Sequence, residues 1–387
     1  MVLEHLLRSY ADIDLEIPSE DEVIETFLAA SRFGPLTRRR LILSWVDRLL
    51  EESTSIHLRA EAVYQRSVVL RLKGDIASSN WLLQEFLDRS NMASEIKSHH
   101  VLGRLHLSRA ANYAYSFDFS SANTEVQKWN PLPSTITEEQ LEVVWNQIHS
   151  VGRILRGQGF FDKACLFFER CLQIHQLRES KRYLALSHLA DTYIELDYLR
   201  SHEINSHYAG ELLDKAENLV KVEVEQLRSR SCHSKGFRRL LLSLSEIEIR
   251  RCRFEEAEHA LIELCGIYKH LADPDIVDRL GHIRTFIALA RIPPASESET
   301  RWTNALNIGR KYYPLEEEVF IVALIHLFIC TIRLHHGDSE GGKAAFDYAA
   351  DICRTKSPQF LIPGAGTYMF DEVQCQIQSL TGWKLPR

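Results

Sequence analysis

No pair of cysteines stands in a C-x-x-C arrangement; the eight are scattered along 387 residues, mostly among apolar neighbours in helical patterns. That argues against a disulfide or zinc framework and reads as reduced, buried thiols. No apolar run approaches the roughly 20 residues that a membrane-spanning helix takes. The most apolar stretch, residues 319–332, contains His326 and reads as a buried core helix. Residues 1–25 carry acids and lack an apolar segment followed by a cleavage site, so secretion is not expected. No segment of weight reads as a strand. Charge is not in marked excess either: the formal net charge is -7, which gives no global attraction to nucleic acid.

What is present is an ordinary foldable composition, 45% hydrophobic and 26% charged, in a chain too long for one ordinary globular core. Several domains or one elongated repeat array would each bury enough surface, and internal repetition decides for the array. Gly152 and Ala164 stand twelve residues apart on two successive helical patterns. The same small-residue pairing recurs as Ser67 with Ser79, Ala110 with Ala122, Ser245 with Ala257, and Cys330 with Gly342. Large residues follow at helical offsets: Phe168 and Phe346 four positions on, Ala349 seven on, as a second helix packing back onto a first requires. A further unit has Leu189, Ala190 and Tyr193 on its first helix and Ala209, Leu213 and Ala216 on its second, with residues 197–205 inserted between them. Another spans about residues 280–313 around Pro293 and Pro294. The second-helix markers Ser79, Ala122, Ala164, Ala209, Ala257, Ser298 and Gly342 recur in steps of 41 to 48 residues.

The unit built on Gly152, Leu155, Gly159, Ala164, Phe168 and Cys171 resembles the tetratricopeptide repeat at nearly every defining position. The period exceeds that repeat's usual ~34 residues and overlaps the HEAT and armadillo range, so HEAT-like stacking is the structural alternative. Long-period units of this kind are similar to those of kinesin light chains and of the sensor tails of signalling ATPases. The resemblance implies an all-α fold, a right-handed α-α superhelix of about seven helix pairs. A helical cap over residues 1–55 precedes the array at 56–356, and a solvating helix and tail over 357–387 follow it. Residues 19–22 form a capping box opening a helix to about Ser31, residues 36–52 a second amphipathic helix, and residues 367–380 the last helix.

Chemical motifs are weak. The segment from Gly337 to Ala344 nearly spells a phosphate loop, but Ala344 has no hydroxyl for magnesium, Asp338 and Glu340 repel phosphate, and a helical pattern precedes it; it reads as an inter-helix turn. Gly157 and Gly159 likewise mark a turn. Cys171 and His175 share a helix face without a supporting ligand pattern, and the neighbours His99–His100 and His335–His336 point to different faces. All-helical enzymes that hold magnesium need an aspartate cluster of the D-D-x-x-D kind, which the sequence lacks. No catalytic residue, cofactor or metal is expected.

In tetratricopeptide arrays the first helices line an inner groove, and the resemblance implies that Tyr64, Arg71, Arg104, Asn146, His149, Arg153, Arg156 and Asp191 point into it. That set suits a partner protein's acidic segment, extended or helical. It lacks the lysine and asparagine clamp that holds chaperone tails. Later units place Leu242, Ile249, Ile283, Ile287, Leu324 and Leu327 there, too apolar for open water, so the C-terminal helix or a partner must cover them. The expected function is a non-catalytic interaction scaffold or adaptor in the cytoplasm or nucleus, bound to no membrane. Two alternatives stand beside it: a free-standing relative of a signalling ATPase's sensor tail, and a nucleic-acid-associated regulator using the basic segment 228–253.

Overall fold

The computed structural model describes residues 39–40, 43–52, 55–89, 100–129, 138–175, 178–201, 210–294, 297–313, 320–356 and 368–385. Every regular element among them is a helix, and no helix is long and apolar enough to cross a membrane. The chain divides into two compact units, Met1–Ser150 and Val151–Arg387.

The first unit contains α1 (Leu43–Glu52), α2 (Ile56–Lys73), α3 (Ile76–Asp88), α4 (His100–Tyr115), α5 (Phe119–Gln127) and most of α6 (Glu138–Gly157), whose last turns from Val151 belong to the second. The expected N-terminal cap is described only in part. Its capping box lies outside the described residues, and the second amphipathic helix appears as α1.

The second unit continues with α7 (Phe161–Leu172), α8 (Glu179–Ser201), α9 (Glu211–Ser229), α10 (Lys235–Arg250), α11 (Phe254–Lys269), α12 (Ile276–Ala290), α13 (Ser298–Tyr312), α14 (Phe320–His335), α15 (Ser339–Lys356) and α16 (Tyr368–Thr381). Here α8, α10, α12 and α14 pack side by side in one row, while α9, α11 and α13 each seat against the first helix of their own pair and that of the next.

The twelve-residue spacing marks close helix crossings. Ser79 and Ser67 are both fully buried, and the Ser79 hydroxyl donates to the Ser67 carbonyl at 2.8 Å. A methyl on Gly152 would meet Phe168 at 2.8 Å, and one on Gly342 would meet Leu334 at 3.0 Å, so a larger residue at either position requires that neighbour to move. One turn geometry joins five of these pairs. Gly74, Phe117, Gly159, Cys252 and Gly337 each stand seven residues after the first small residue of their pair and take a positive φ, at 100, 58, 82, 59 and 81°. In each, two backbone bonds close the first helix, as Gly74 to Arg71 and Asp75 to Leu70 do in the first pair, and Gly337 to Leu334 and Asp338 to Arg333 in the last. This is the left-handed helix ending that satisfies orphan carbonyls. The segment around Gly337 is therefore a turn, as its sequence indicates, with Asp338 accepting the Gly341 N–H at 2.8 Å.

Two pairs differ. The insertion expected from Asp197 onward begins later: α8 runs to Ser201, and Asp197 is buried, its carboxylate accepting the Gly210 N–H at 2.9 Å at the start of α9. Asp197 thus ties α8 to the residue that precedes α9. Ser298, the marker of the pair α12/α13, is only the first residue of α13; the small residues buried on that helix are Ala305 and Gly309.

Candidate functional site

The predicted groove residues separate into two sets, one per unit. In the first unit, Arg104 is 4% exposed and its guanidinium meets Glu61 at 3.0 Å, linking α4 to α2. The Arg71 side chain donates to the Ser108 hydroxyl at 2.7 Å and to Asn112 at 3.1 Å, again across α2 and α4. His149 is buried and stacks on Trp145 with ring centroids 4.9 Å apart, whereas Tyr64 and Asn146 are half-buried. Arg71 and Arg104 thus stitch adjacent first helices together, with partners supplied about one repeat away in sequence.

In the second unit, Arg153 is half-buried, and Arg156 and Asp191 belong to a larger polar cluster. Arg156 lies 3.7 Å from Asp191 and 3.6 Å from Glu195. Asp191 also accepts the Ser243 hydroxyl at 2.7 Å and lies 3.4 Å from Arg284, so its carboxylate joins α6, α8, α10 and α12. Burial works against the Asp191 charge, but Arg284, Arg156 and the Ser243 hydroxyl outweigh it and hold the carboxyl below its ordinary range. Glu195, one turn further along α8, is pushed the other way. Burial raises it to about 8 against Arg156 and a backbone N–H, and Asp191 and Asp371 add to the rise.

That N–H belongs to Tyr368, the first residue of α16, and bonds Glu195 at 2.7 Å. A helix start has N–H groups with no partner of its own, and Glu195 caps one of them from α8. The Tyr368 hydroxyl donates to Glu246 of α10 at 2.7 Å and accepts from Arg291, at the end of α12, at 2.9 Å. Burial drives the phenol upward, which keeps its proton on the oxygen. Arg291 also bonds Glu246 at 2.7 Å. The Arg250 guanidinium lies over both the Tyr198 ring, at 5.4 Å, and the Tyr368 ring, at 5.3 Å, with the two rings 5.4 Å apart. From this anchor α16 crosses the row of first helices. It buries Met369, Phe370, Val373 and Ile377, packs on α14, and leads to Trp383 against Phe346 of α15.

Leu242, Ile249, Ile283, Ile287, Leu324 and Leu327 are all buried, as their apolar character requires, and the C-terminal helix packs on α14, which carries Leu324 and Leu327. The sequence indicates a C-terminal helix but not its anchor: Tyr368 and Glu195 are 173 positions apart, and Glu246 and Arg250 stand out only as members of the basic segment 228–253.

The basic segment is balanced within the fold. Arg228 pairs with Glu263 at 2.7 Å, Arg238 with Asp278 at 2.7 Å and Arg253 with Glu217 at 2.9 Å, while Lys235 pairs with Asp275 and Arg251 with Asp214. Cys171 is buried, its thiol pushed by burial up to about 12, while His175 is exposed beyond the end of α7. Among the described residues no group of three or more His, Cys, Asp or Glu side chains is placed to hold a metal ion.

No protein-family model matches the chain, and no curated protein matches it in sequence.

Proposed function

We propose that this chain is a non-catalytic interaction scaffold of the tetratricopeptide type. In this reading it is a right-handed superhelix of about seven helix pairs, capped over residues 1–55, working in the cytoplasm or nucleus. Its first-helix face holds a helix or extended segment of a partner protein. One observation carries the reading: the row α8, α10, α12 and α14 already holds a helix, α16, by burying an apolar stripe and closing polar bonds at the helix start. A surface with that geometry suits helix recognition, in which apolar anchors supply affinity and a few polar contacts fix register.

The test is site-specific photo-crosslinking in cells. A photoreactive residue replaces Tyr64 or Arg153, on the first helices, or Leu166 or Ile262, exposed on the second helices α7 and α11. The reading expects adducts with a common partner from the first-helix positions and none from the controls. Adducts confined to Leu166 and Ile262, or none above background at any position, would overturn it.

A further inference from the structure

Successive second helices of the second unit leave clefts between them, each floored by a first helix, and two of these clefts differ in charge. Between α11 and α13, over α12, a cleft of about 210 Å³ is lined in part by Glu258, Phe286 and Arg301. Its arginine is matched on the spot, since Arg301 pairs with Glu258 at 2.9 Å. One helix pair further along, between α13 and α15 over α14, the cleft is wider, at about 340 Å³, within the ~300–1,000 Å³ range of small-ligand sites. Leu306, Ile329, Ala344 and Ala345 wall it with apolar surface, and the two adjacent alanines leave room that longer side chains would fill. Arg310 from α13 and Arg333 from α14 line it as well, with no carboxylate among the lining residues. Neither guanidinium is ion-paired among the described residues; Arg333 gives one donor to the Gly341 carbonyl at 3.1 Å. The acids of α15 that follow are engaged with neighbours on their own helix, Asp347 with Lys343 and Asp351 with Arg354 at 3.7 Å.

The two guanidiniums bear on one place in the cleft. His326 of α14 is pushed down to about 4, by burial first and then by Arg310 and Arg333, so its imidazole is neutral at physiological pH and adds no third charge. That ring packs against Tyr348 of α15, with centroids 4.6 Å apart. The cleft thus combines an apolar bed, two ring faces and two cations without a fixed counter-charge. A planar guanidinium matches a carboxylate better than other anions of one charge, because it can donate two parallel bonds to the two oxygens. We infer that the cleft between α13 and α15 binds a small organic carboxylate with an apolar body. Its carboxylate is held by Arg310 and Arg333, and its body lies on Ile329, Ala344 and Ala345 beside the Tyr348 ring. The inference goes beyond the scaffold reading and does not depend on it: the occupant is a small molecule rather than a partner's helix.

The experiment titrates phenylacetate and hexanoate into the full chain at fixed ionic strength, with phenylacetamide as the uncharged match, followed by ligand-detected NMR. Both acids are expected to bind about tenfold more tightly than the amide, the difference a charge-assisted bond supplies. Arg310→Gln and Arg333→Gln should each remove most of that preference. Ala344→Leu, which fills the cleft from an exposed position, should weaken acid and amide alike. Arg354→Gln, on the same helix but outside the cleft, should change nothing. Circular dichroism confirms that each variant is folded. Should the arginine variants unfold, amide exchange of the wild-type chain with and without phenylacetate decides: slowed exchange confined to α13, α14 and α15 supports the site, and slowing elsewhere or nowhere refutes it. Equal binding of acid and amide, an equal loss in Arg354→Gln, or no binding by the wild-type chain at ~10 mM acid overturns the assignment.

Discussion

The Tyr368 hydroxyl sits between Glu246 and Arg291, 2.7 Å from the one and 2.9 Å from the other, and so completes an ion pair that joins α10 to the end of α12. Replacing Tyr368 with Phe keeps the ring under Arg250 but leaves a buried acceptor and donor short of a partner. The variant should lose about 1–3 kcal/mol of stability by urea unfolding at fixed pH, while Tyr193→Phe, on a half-buried ring, should lose less.

Glu195 makes stability depend on pH. Its carboxyl titrates at about 4.5 in the unfolded chain and about 8 in the folded one, so between those values the folded state holds the extra proton. Stability therefore falls as pH rises through that window and levels off above it. His282 and His326, both lowered to about 4, act in the opposite direction, mostly below pH 6.5 and by under ~1 kcal/mol together above it. Asp191, lowered from 3.8, contributes a constant amount at these pH values. Between pH 6.5 and 8 the wild-type chain should lose ~1–2 kcal/mol relative to Glu195→Gln, which still accepts the Tyr368 N–H. Denaturant midpoints of both proteins at the two pH values check this.

Cys252 is exposed and holds a φ of 59° at a turn where other pairs use glycine. Side chains with a Cβ are strained in that region by roughly 1–2 kcal/mol, so Cys252→Gly should stabilise the chain by up to about 1 kcal/mol after the entropy of glycine is counted. Phe117→Gly should gain less, because it also forfeits the edge contact of Phe117 with Phe119. Thermal melts of both variants decide the order.

Gly152 and Gly266 separate packing from propensity. A Cβ on Gly152 would run into Phe168 at 2.8 Å, whereas one on Gly266 in α11 meets nothing within 4 Å. Gly152→Ala should destabilise by about 1–3 kcal/mol, and Gly266→Ala should stabilise by roughly 0.5–1 kcal/mol. Equal effects at the two sites would mean that the close helix crossing is absent in solution.

Much of the fold was legible where it depends on local pattern. Small residues twelve apart, as at Ser67 and Ser79, mark tight helix crossings because larger side chains cannot fit between the backbones. Glycines such as Gly159 and Gly337 mark turns because the left-handed region favours them. Phe117 and Cys252 occupy the same turn without glycine's signature, so only coordinates reveal that they match. The site was less legible, because a sequence displays charge along the chain while the fold balances it between helices. Arg104 looks like a free cation until Glu61 is placed beside it, and Arg156 likewise until Asp191 and Glu195 are. The basic segment loses its apparent excess to Asp214, Glu217, Glu263, Asp275 and Asp278 on neighbouring helices. The anchoring of α16 joins residues so distant in sequence that no window could link them.

The most direct test of the account is native-state hydrogen exchange of the full-length chain across a series of denaturant concentrations, comparing α16 with the row beneath it. Local units open with free energies below the global value when they are held independently. A separately held α16 should exchange through an opening smaller than the one that exposes α8, α10, α12 and α14, with those helices still protected. Exchange of α16 only together with the whole row would show that it is a fixed part of the core and would contradict the reading that the first-helix face holds α16 as it would hold a partner's helix.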